Sequence, residues 1–219
     1  MNLLSLRCPA LDQLLGGGLE LGIITKVFGE AGTGKTTMCL QAARECFRQG
    51  GHIVFIDTEG VSTERLRQLC EHDKQICAIY DSLLFIRPRT FYEQEQAVQK
   101  ACAMNDISLI IIDTMNRLYR VALTHDIEEA RRCYVRQMTS LQLNARKHRQ
   151  WVLLAEQVYT DEQGVIQPFT NKKTESMVKI MVKLEKRSGR GMRTARLVKH
   201  PLKPLSSVIS FRLTTCGME

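Results

Sequence analysis

Residues 29–36 read GEAGTGKT, between the apolar run IITKVFG (23–29) and a stretch of helical spacing around 35–49. This G-x-x-x-x-G-K-[ST] run constrains the fold more than any other feature. It works only where a strand delivers the chain to a glycine-rich turn and a helix carries it away. The glycines let the backbone curl so that its N–H groups face phosphate oxygens, and the helix N-terminus adds positive potential. Gly29, Glu30, Ala31, Gly32, Thr33, Gly34, Lys35, Thr36 and Thr37 are therefore the expected lining of a nucleotide phosphate site. Lys35 is expected to reach the β- and γ-phosphates, and the Thr36 hydroxyl to ligate Mg²⁺. ATP and Mg²⁺ are the expected ligands.

Around this motif, short apolar runs alternate with helical stretches. GHIVFIDTE (51–59), DSLLFIRP (a strand near 82–87), SLIIID (108–113) and WVLLAEQ (151–157) read as strands. TFYEQEQAVQKACAM and residues 125–149 read as helices, the second with acids early and bases late, as the helix dipole prefers. Ser62 or Thr63 is a candidate N-cap for a helix starting at ERLRQLCE. Residues 158–176 read as a long polar loop. SMVKIMVKLEKR and RTARLVKHP, separated by turn residues, predict a β-hairpin, and VISFRLT (208–214) a last strand. The expectation is one α/β domain over residues 1–219, with a mostly parallel central sheet, flanking helices and an antiparallel hairpin extension.

Charge is distributed unevenly along the chain. Residues 1–170 hold 19 Lys/Arg against 20 Asp/Glu, a net of −1, whereas residues 171–219 hold 12 against 3, a net of +9. A basic field confined to one region points to an extended anion such as nucleic acid. Lys183, Lys186, Arg187, Arg190 and Arg193 of the hairpin are its candidate phosphate contacts, against the plainer reading of a solvated charged face. No stretch approaches the ~20 apolar residues of a membrane span, and no signal peptide is legible, so the protein is expected in the cytoplasm. The eight cysteines show no C-x-x-C pair; reduced thiols are expected rather than disulfides.

Polar residues closing apolar strands supply the chemistry. Asp113 ends SLIIID, where open α/β sheets bind ligands, and is the expected second Mg²⁺ ligand, acting through water. Glu59 and Asp57 both close VFIDTE; Glu59, nearer the tip, is the preferred base for a water attacking the γ-phosphate, with Asp57 the alternative. Gln157 ends WVLLAEQ and is placed to sense the γ-phosphate. Arg65 is a candidate to stack on adenine, against an ordinary surface arginine.

Taken in order, LLGGG, GEAGTGKTT, FIDTEG, LIIIDT, WVLLAEQV and RTARLVKHP resemble the RecA-type recombinase core of archaeal RadA and the eukaryotic strand-exchange proteins, over essentially the whole chain. The resemblance implies that Glu59 activates water and that Gln157 opens a second DNA-binding loop at about 158–176, which contains Lys172 and Lys173. A first DNA-binding loop is implied at about Met115 to Asp126, with Asn116, Arg117 and Arg120. RadA carries a helical DNA-binding domain and a Phe-x-x-Ala segment ahead of this core. Here the core motif begins at Leu11, so neither is expected, and the chain is similar to the RadB group of RadA paralogues. This likeness implies an ATP-binding, DNA-binding, weakly ATP-hydrolysing accessory of recombination and DNA repair. DNA would be bound independently of sequence, single strands favoured, with Tyr119, Tyr159 and Phe169 as candidate stacking rings. The RadA recombinase and further copies of the chain are the implied protein partners. Lys199, in RLVKHP, is a candidate to reach a neighbouring subunit's ATP. The competing expectations are a KaiC-like signalling ATPase acting on proteins without nucleic acid, and an interaction module that binds ATP only structurally.

Overall fold

The run that leads into the glycine-rich turn lies in the middle of a sheet. A computed structural model of the protein describes residues 3–61, 83–160, 166–168, 172–205 and 207–219, with the backbone alone at 159, 160, 166–168 and 172. Its strands are β1 (Leu3–Leu4), β2 (Leu19–Glu20), β3 (Ile24–Gly29), β4 (His52–Asp57), β5 (Leu83–Ile86), β6 (Ile107–Asp113), β7 (Trp151–Thr160), β8 (Ile166–Pro168), β9 (Val178–Lys186), β10 (Met192–Lys199) and β11 (Val208–Arg212). Its helices are α1 (Pro9–Leu15), α2 (Lys35–Arg48), α3 (Phe91–Ala103), α4 (Arg117–Ala122), α5 (Ile127–His148) and α6 (Lys172–Glu175). The proposed helix from Ser62 or Thr63, and with it Arg65, lies outside the described residues.

The main sheet runs β11-β10-β9-β3-β7-β6-β4-β5, with β8 paired to β7. From β9 to β5 neighbouring strands are parallel; β10 and β11 extend the sheet antiparallel, as the sequence predicts. Strands covered on both faces need apolar residues at consecutive positions, which is why β3 and β6 read as near-continuous apolar runs. One face packs on α1 and α2 through Met38, Leu40, Ile53, Phe55, Leu109 and Leu153. The other packs on α3 and α5 through Val54, Val98, Ile110, Tyr134, Leu141 and Leu154. The α5 N-terminus is capped by Asp126, whose carboxylate accepts the Glu129 N–H at 3.0 Å.

The expected polar loop over 158–176 is in part regular structure. β7 continues through Thr160, residues 166–168 return antiparallel to it, and 172–175 make one helical turn. Val158, Tyr159 and Thr160 are residue types that suit an extended backbone, and this outweighs the polarity of the segment beyond them.

A charge pair is buried beneath the middle of the sheet. Lys26 of β3 lies 3.0 Å from the Glu156 carboxylate of β7, and the Tyr134 hydroxyl of α5 donates to the same carboxylate at 2.7 Å. All three side chains are fully buried. Tyr134 in turn packs against Tyr119 of α4, with ring centroids 4.7 Å apart. Tyr119 is thus a core residue rather than an available stacking ring. The described cysteines, Cys8, Cys39, Cys46, Cys102, Cys133 and Cys216, are free thiols. No helix among the described residues is long and apolar enough to cross a membrane.

Candidate functional site

The glycine-rich turn sits where β3 ends and α2 begins. A side chain at Gly29 would overlap the Leu184 carbonyl of β9, and Gly34, which caps α2, has φ +108, which side chains rarely adopt. These two positions need glycine for close approach and for backbone conformation. Lys35 is buried and folds back on the turn, its Nζ donating to the carbonyls of Gly29 and Glu30 at 2.8 Å each. Burial lowers its pKa, while the nearby carboxylates of Asp113 and Glu59 act against that shift. Glu30, Ala31 and Gly32 form an exposed tip, Thr33 and Thr37 are buried, and Thr36 is half-buried at the start of α2.

Three strand ends converge beside this turn. In register, Gly29 lies opposite Gln157, Asp113 opposite both Ala155 and Asp57, and Glu59 comes two residues after β4. Asp113 is fully buried and neither carboxylate oxygen has a hydrogen-bond partner among the described residues. Burial pushes its pKa up to about 6, and the Thr36 hydroxyl, near enough to favour the charged form, pulls it back. An orphaned buried carboxylate next to a threonine and a phosphate cradle fits a cation that arrives with the nucleotide.

Glu59 and Asp57, which close the same strand, are distinguished by their hydrogen bonds. Asp57 is buried and accepts the N–H groups of Glu59, Gly60 and Val61 and the Arg87 guanidinium. Both its oxygens hold the turn after β4. Glu59 Oε1 accepts from the Thr114 hydroxyl at 3.0 Å and from the Gln157 side-chain amide at 2.5 Å. Glu59 Oε2 has no partner among the described residues. Gln157 is itself fixed by Asn116, whose buried side chain accepts its N–H at 3.1 Å and donates to its C=O at 2.7 Å. Asn116 immediately precedes α4, so one hydrogen-bonded chain runs from Glu59 through Gln157 to that helix.

The Rad51 family model matches residues 2–219. The chain belongs to the Rad51 family. "DNA repair and recombination protein RadB" of Methanococcoides burtonii is 35% identical over 217 residues, covering 97% of this chain and 95% of that protein. The protein of the same name from Archaeoglobus fulgidus is 33% identical over 215 residues, covering 95% and 94%. A solved structure, "Crystal structure of the RadB recombinase", superimposes with a TM-score of 0.85 at 28% identity, covering 99% of this chain and 98% of that one. The fold is accordingly the RecA-like core expected from the sequence, and the chain is RadB-like within the Rad51 family. Enzymes of this family are of the ATPase type.

The basic residues of this Rad51-family chain lie in several separate places. Arg117 donates to the Thr58 carbonyl and, with Arg120, lines a cleft of about 670 Å³ that also contains Glu59, Asn116 and Gln157. At the hairpin turn, Arg187 donates to the Ser210 hydroxyl at 2.8 Å and Arg190 is exposed. Along the hairpin strands, Lys183 pairs with Glu185 at 2.8 Å, whereas Arg193, next to the turn, places Nε and Nη2 on the Gly32 carbonyl at 3.0 and 2.9 Å. Lys173 is exposed on α6; the side chain of Lys172 and the residue Phe169 lie outside the described residues, as does the side chain of Tyr159. Lys199 donates to the Glu175 carbonyl at 2.8 Å, and burial lowers its pKa. Sequence reasoning did not anticipate the grip of Asn116 on Gln157, nor the contact of the hairpin with the phosphate turn. The second was signalled by strand alternation, since Leu184 and Lys186 must share a face.

Proposed function

We propose that the protein is a nucleotide-controlled DNA-binding ATPase of homologous recombination and DNA repair, accessory to a main recombinase as a RadB-like protein. The observation that carries this reading is the hydrogen-bonded chain Glu59–Gln157–Asn116. It joins the carboxylate suited to activate water to the helix that carries Arg117 and Arg120. The names of the relatives favour this reading over a signalling ATPase acting only on proteins.

In this mechanism Lys35 exchanges the carbonyls of Gly29 and Glu30 for the β- and γ-phosphates, and the N–H groups of residues 29–36 line the phosphate chain. Thr36 and Asp113 would hold Mg²⁺, whose charge neutralises phosphate oxygens. Glu59 accepts through Oε2 the proton of a water whose oxygen attacks the γ-phosphorus; the bond to the β–γ bridging oxygen breaks, leaving ADP and phosphate. Gln157, bonded to the same carboxylate, shifts with the γ-phosphate and takes the peptide gripped by Asn116 with it. Arg117 and Arg120, Arg187 and Arg190, and the basic residues Lys172 and Lys173 then meet the backbone of DNA, independently of sequence and with single strands favoured. A recombinase of the RadA type and further copies of this chain are the proposed protein partners, in the cytoplasm.

The test is ATP turnover with and without a single-stranded oligonucleotide, together with oligonucleotide binding at rising salt. Turnover that DNA stimulates, and binding that weakens steeply with salt, is the expected result. Absence of oligonucleotide binding at low salt, with and without ATP, would overturn the DNA part of the proposal.

A further inference from the structure

Strand alternation divides the basic hairpin in a way its composition conceals. Arg193 of β10 and Lys186 of β9 are directly paired across the two strands. Arg193 shares a face with Ala195 and Leu197, and Lys186 with Leu184; those three neighbours are buried in the core that packs on α2. Lys183 and Arg196, the next pair of facing bases, point to the opposite side of the sheet. β9 also outruns its neighbour: Leu184 lies opposite Gly29, the last residue of β3, so Lys186 projects beyond the strand and over the phosphate turn.

The contacts agree with that geometry. Arg193 holds the Gly32 carbonyl with two N–H groups and donates Nη1 to the Met192 carbonyl at 2.8 Å, so its guanidinium is fixed in place. A side chain built on Gly32 would lie 3.6 Å from the Lys186 Cε and 4.0 Å from its Nζ. The Lys186 ammonium has no hydrogen-bond or ion-pair partner among the described residues, although it stands at the edge of a turn shaped for phosphate. Lys35 and Lys186 are close enough for each to feel the other's charge. An exposed ammonium held over this turn is placed to meet an anion bound in it.

We propose that Lys186 is a second phosphate-binding lysine of the nucleotide site, contributed from the strand side of the turn, and that Arg193 is its positioning residue, pinning Gly32 so that the phosphate chain enters between Lys35 and Lys186. The inference rests on the nucleotide reading of the glycine-rich turn. It removes Lys186 and Arg193 from the candidate DNA contacts and leaves the hairpin's share of those contacts to its turn.

The experiment is titration of the whole protein with fluorescent analogues of ATP, ADP and AMP, for the unaltered chain and for Lys186→Ala, Lys186→Arg, Arg193→Ala and Arg193→Gln. Loss of a charge-assisted contact should weaken ATP binding by about ten-fold or more in Lys186→Ala. The loss should be largest for ATP and smallest for AMP, and Lys186→Arg should recover most of it. A positioning role predicts that Arg193→Ala and Arg193→Gln also weaken ATP binding, with the nucleotide-free melting temperature of each within a few degrees of the unaltered chain. Variants that bind all three nucleotides normally but lose affinity for an oligonucleotide in the absence of nucleotide would return both residues to the DNA surface. An unaltered chain that binds no nucleotide would instead overturn the nucleotide reading itself.

Discussion

The glycine-rich turn and the basic hairpin are both built to meet phosphate, yet their residues become a site in different ways. The turn is made of consecutive residues, and backbone constraints at Gly29 and Gly34 fix its shape locally. The hairpin's cations are interleaved on two strands, and the pleat sends Lys186 and Arg193 to one face and Lys183 and Arg196 to the other. A cluster of charge along a sequence is therefore not a cluster in space. In a strand it is divided in two before any ligand arrives.

The sharpest way to break the comparison is at the turn. Lys35→Ala removes the lysine whose ammonium holds the Gly29 and Glu30 carbonyls of the cradle. It should reduce nucleotide binding to below detection and abolish turnover; full ATP affinity in a fluorescence titration would refute the site. Next in size, Glu59→Gln should lower turnover by about 10²–10⁴-fold while leaving nucleotide binding in place, measured as phosphate release against analogue affinity. An intermediate effect is expected at the joint. Asn116→Ala leaves the Gln157 N–H and C=O without their partner, at a cost of about 1–3 kcal/mol by chemical denaturation. Any stimulation of turnover by DNA should fall more than the basal rate. At the hairpin turn, Arg187→Glu with Arg190→Glu should weaken oligonucleotide binding and flatten its logarithmic salt dependence by about 0.7 per lost single-strand contact. Nucleotide affinity should stay unchanged.

The smallest effect lies far from both regions and serves as their reference. Glu95 of α3 is bonded by Arg136 of α5 at 2.6 and 3.1 Å, and this hydrogen bonding, against the opposing effect of burial, holds its carboxyl below the ordinary value of 4.5. Its stabilising contribution is complete above the ordinary carboxylate range and is lost as pH falls through the lowered value. Glu95→Gln should shrink the acid-side loss of melting temperature and leave nucleotide affinity unchanged.

Legibility in the sequence tracks the range of the interactions involved. The glycine-rich turn and the apolar strands were read correctly because local backbone rules and strand burial dictate them. Asp113 and Gln157 stood out as polar residues closing apolar runs. Glu59 is preferred over Asp57 in the sequence only for its place nearer the strand tip; the three N–H groups and Arg87 that occupy Asp57 give the physical reason. Tyr119, between two arginines, looked available for a base, but Phe91 and Tyr134 of other helices cover it. The two-residue strands β1 and β2 are too short to leave a periodic signal. The hold of Asn116 on Gln157 spans forty-one positions and has no local signature.

The buried pair Lys26–Glu156 acts as a gauge for the whole site. It lies on the face of the sheet turned away from the nucleotide and does none of the chemistry. Each of its members, however, stands within a few residues of a functional strand end: Lys26 before Gly29, and Glu156 before Gln157. Lys26 faces Leu154, two residues before Glu156, so if β3 and β7 slipped by two residues in the direction that sets Lys26 opposite Val152, the apolar pattern would survive but Lys26 would be drawn away from Glu156. Separating a buried pair in this way costs about 3–5 kcal/mol, as does removing one partner. The spacing between the phosphate cradle and Gln157 is in this way measured from behind, by charges that never meet the ligand.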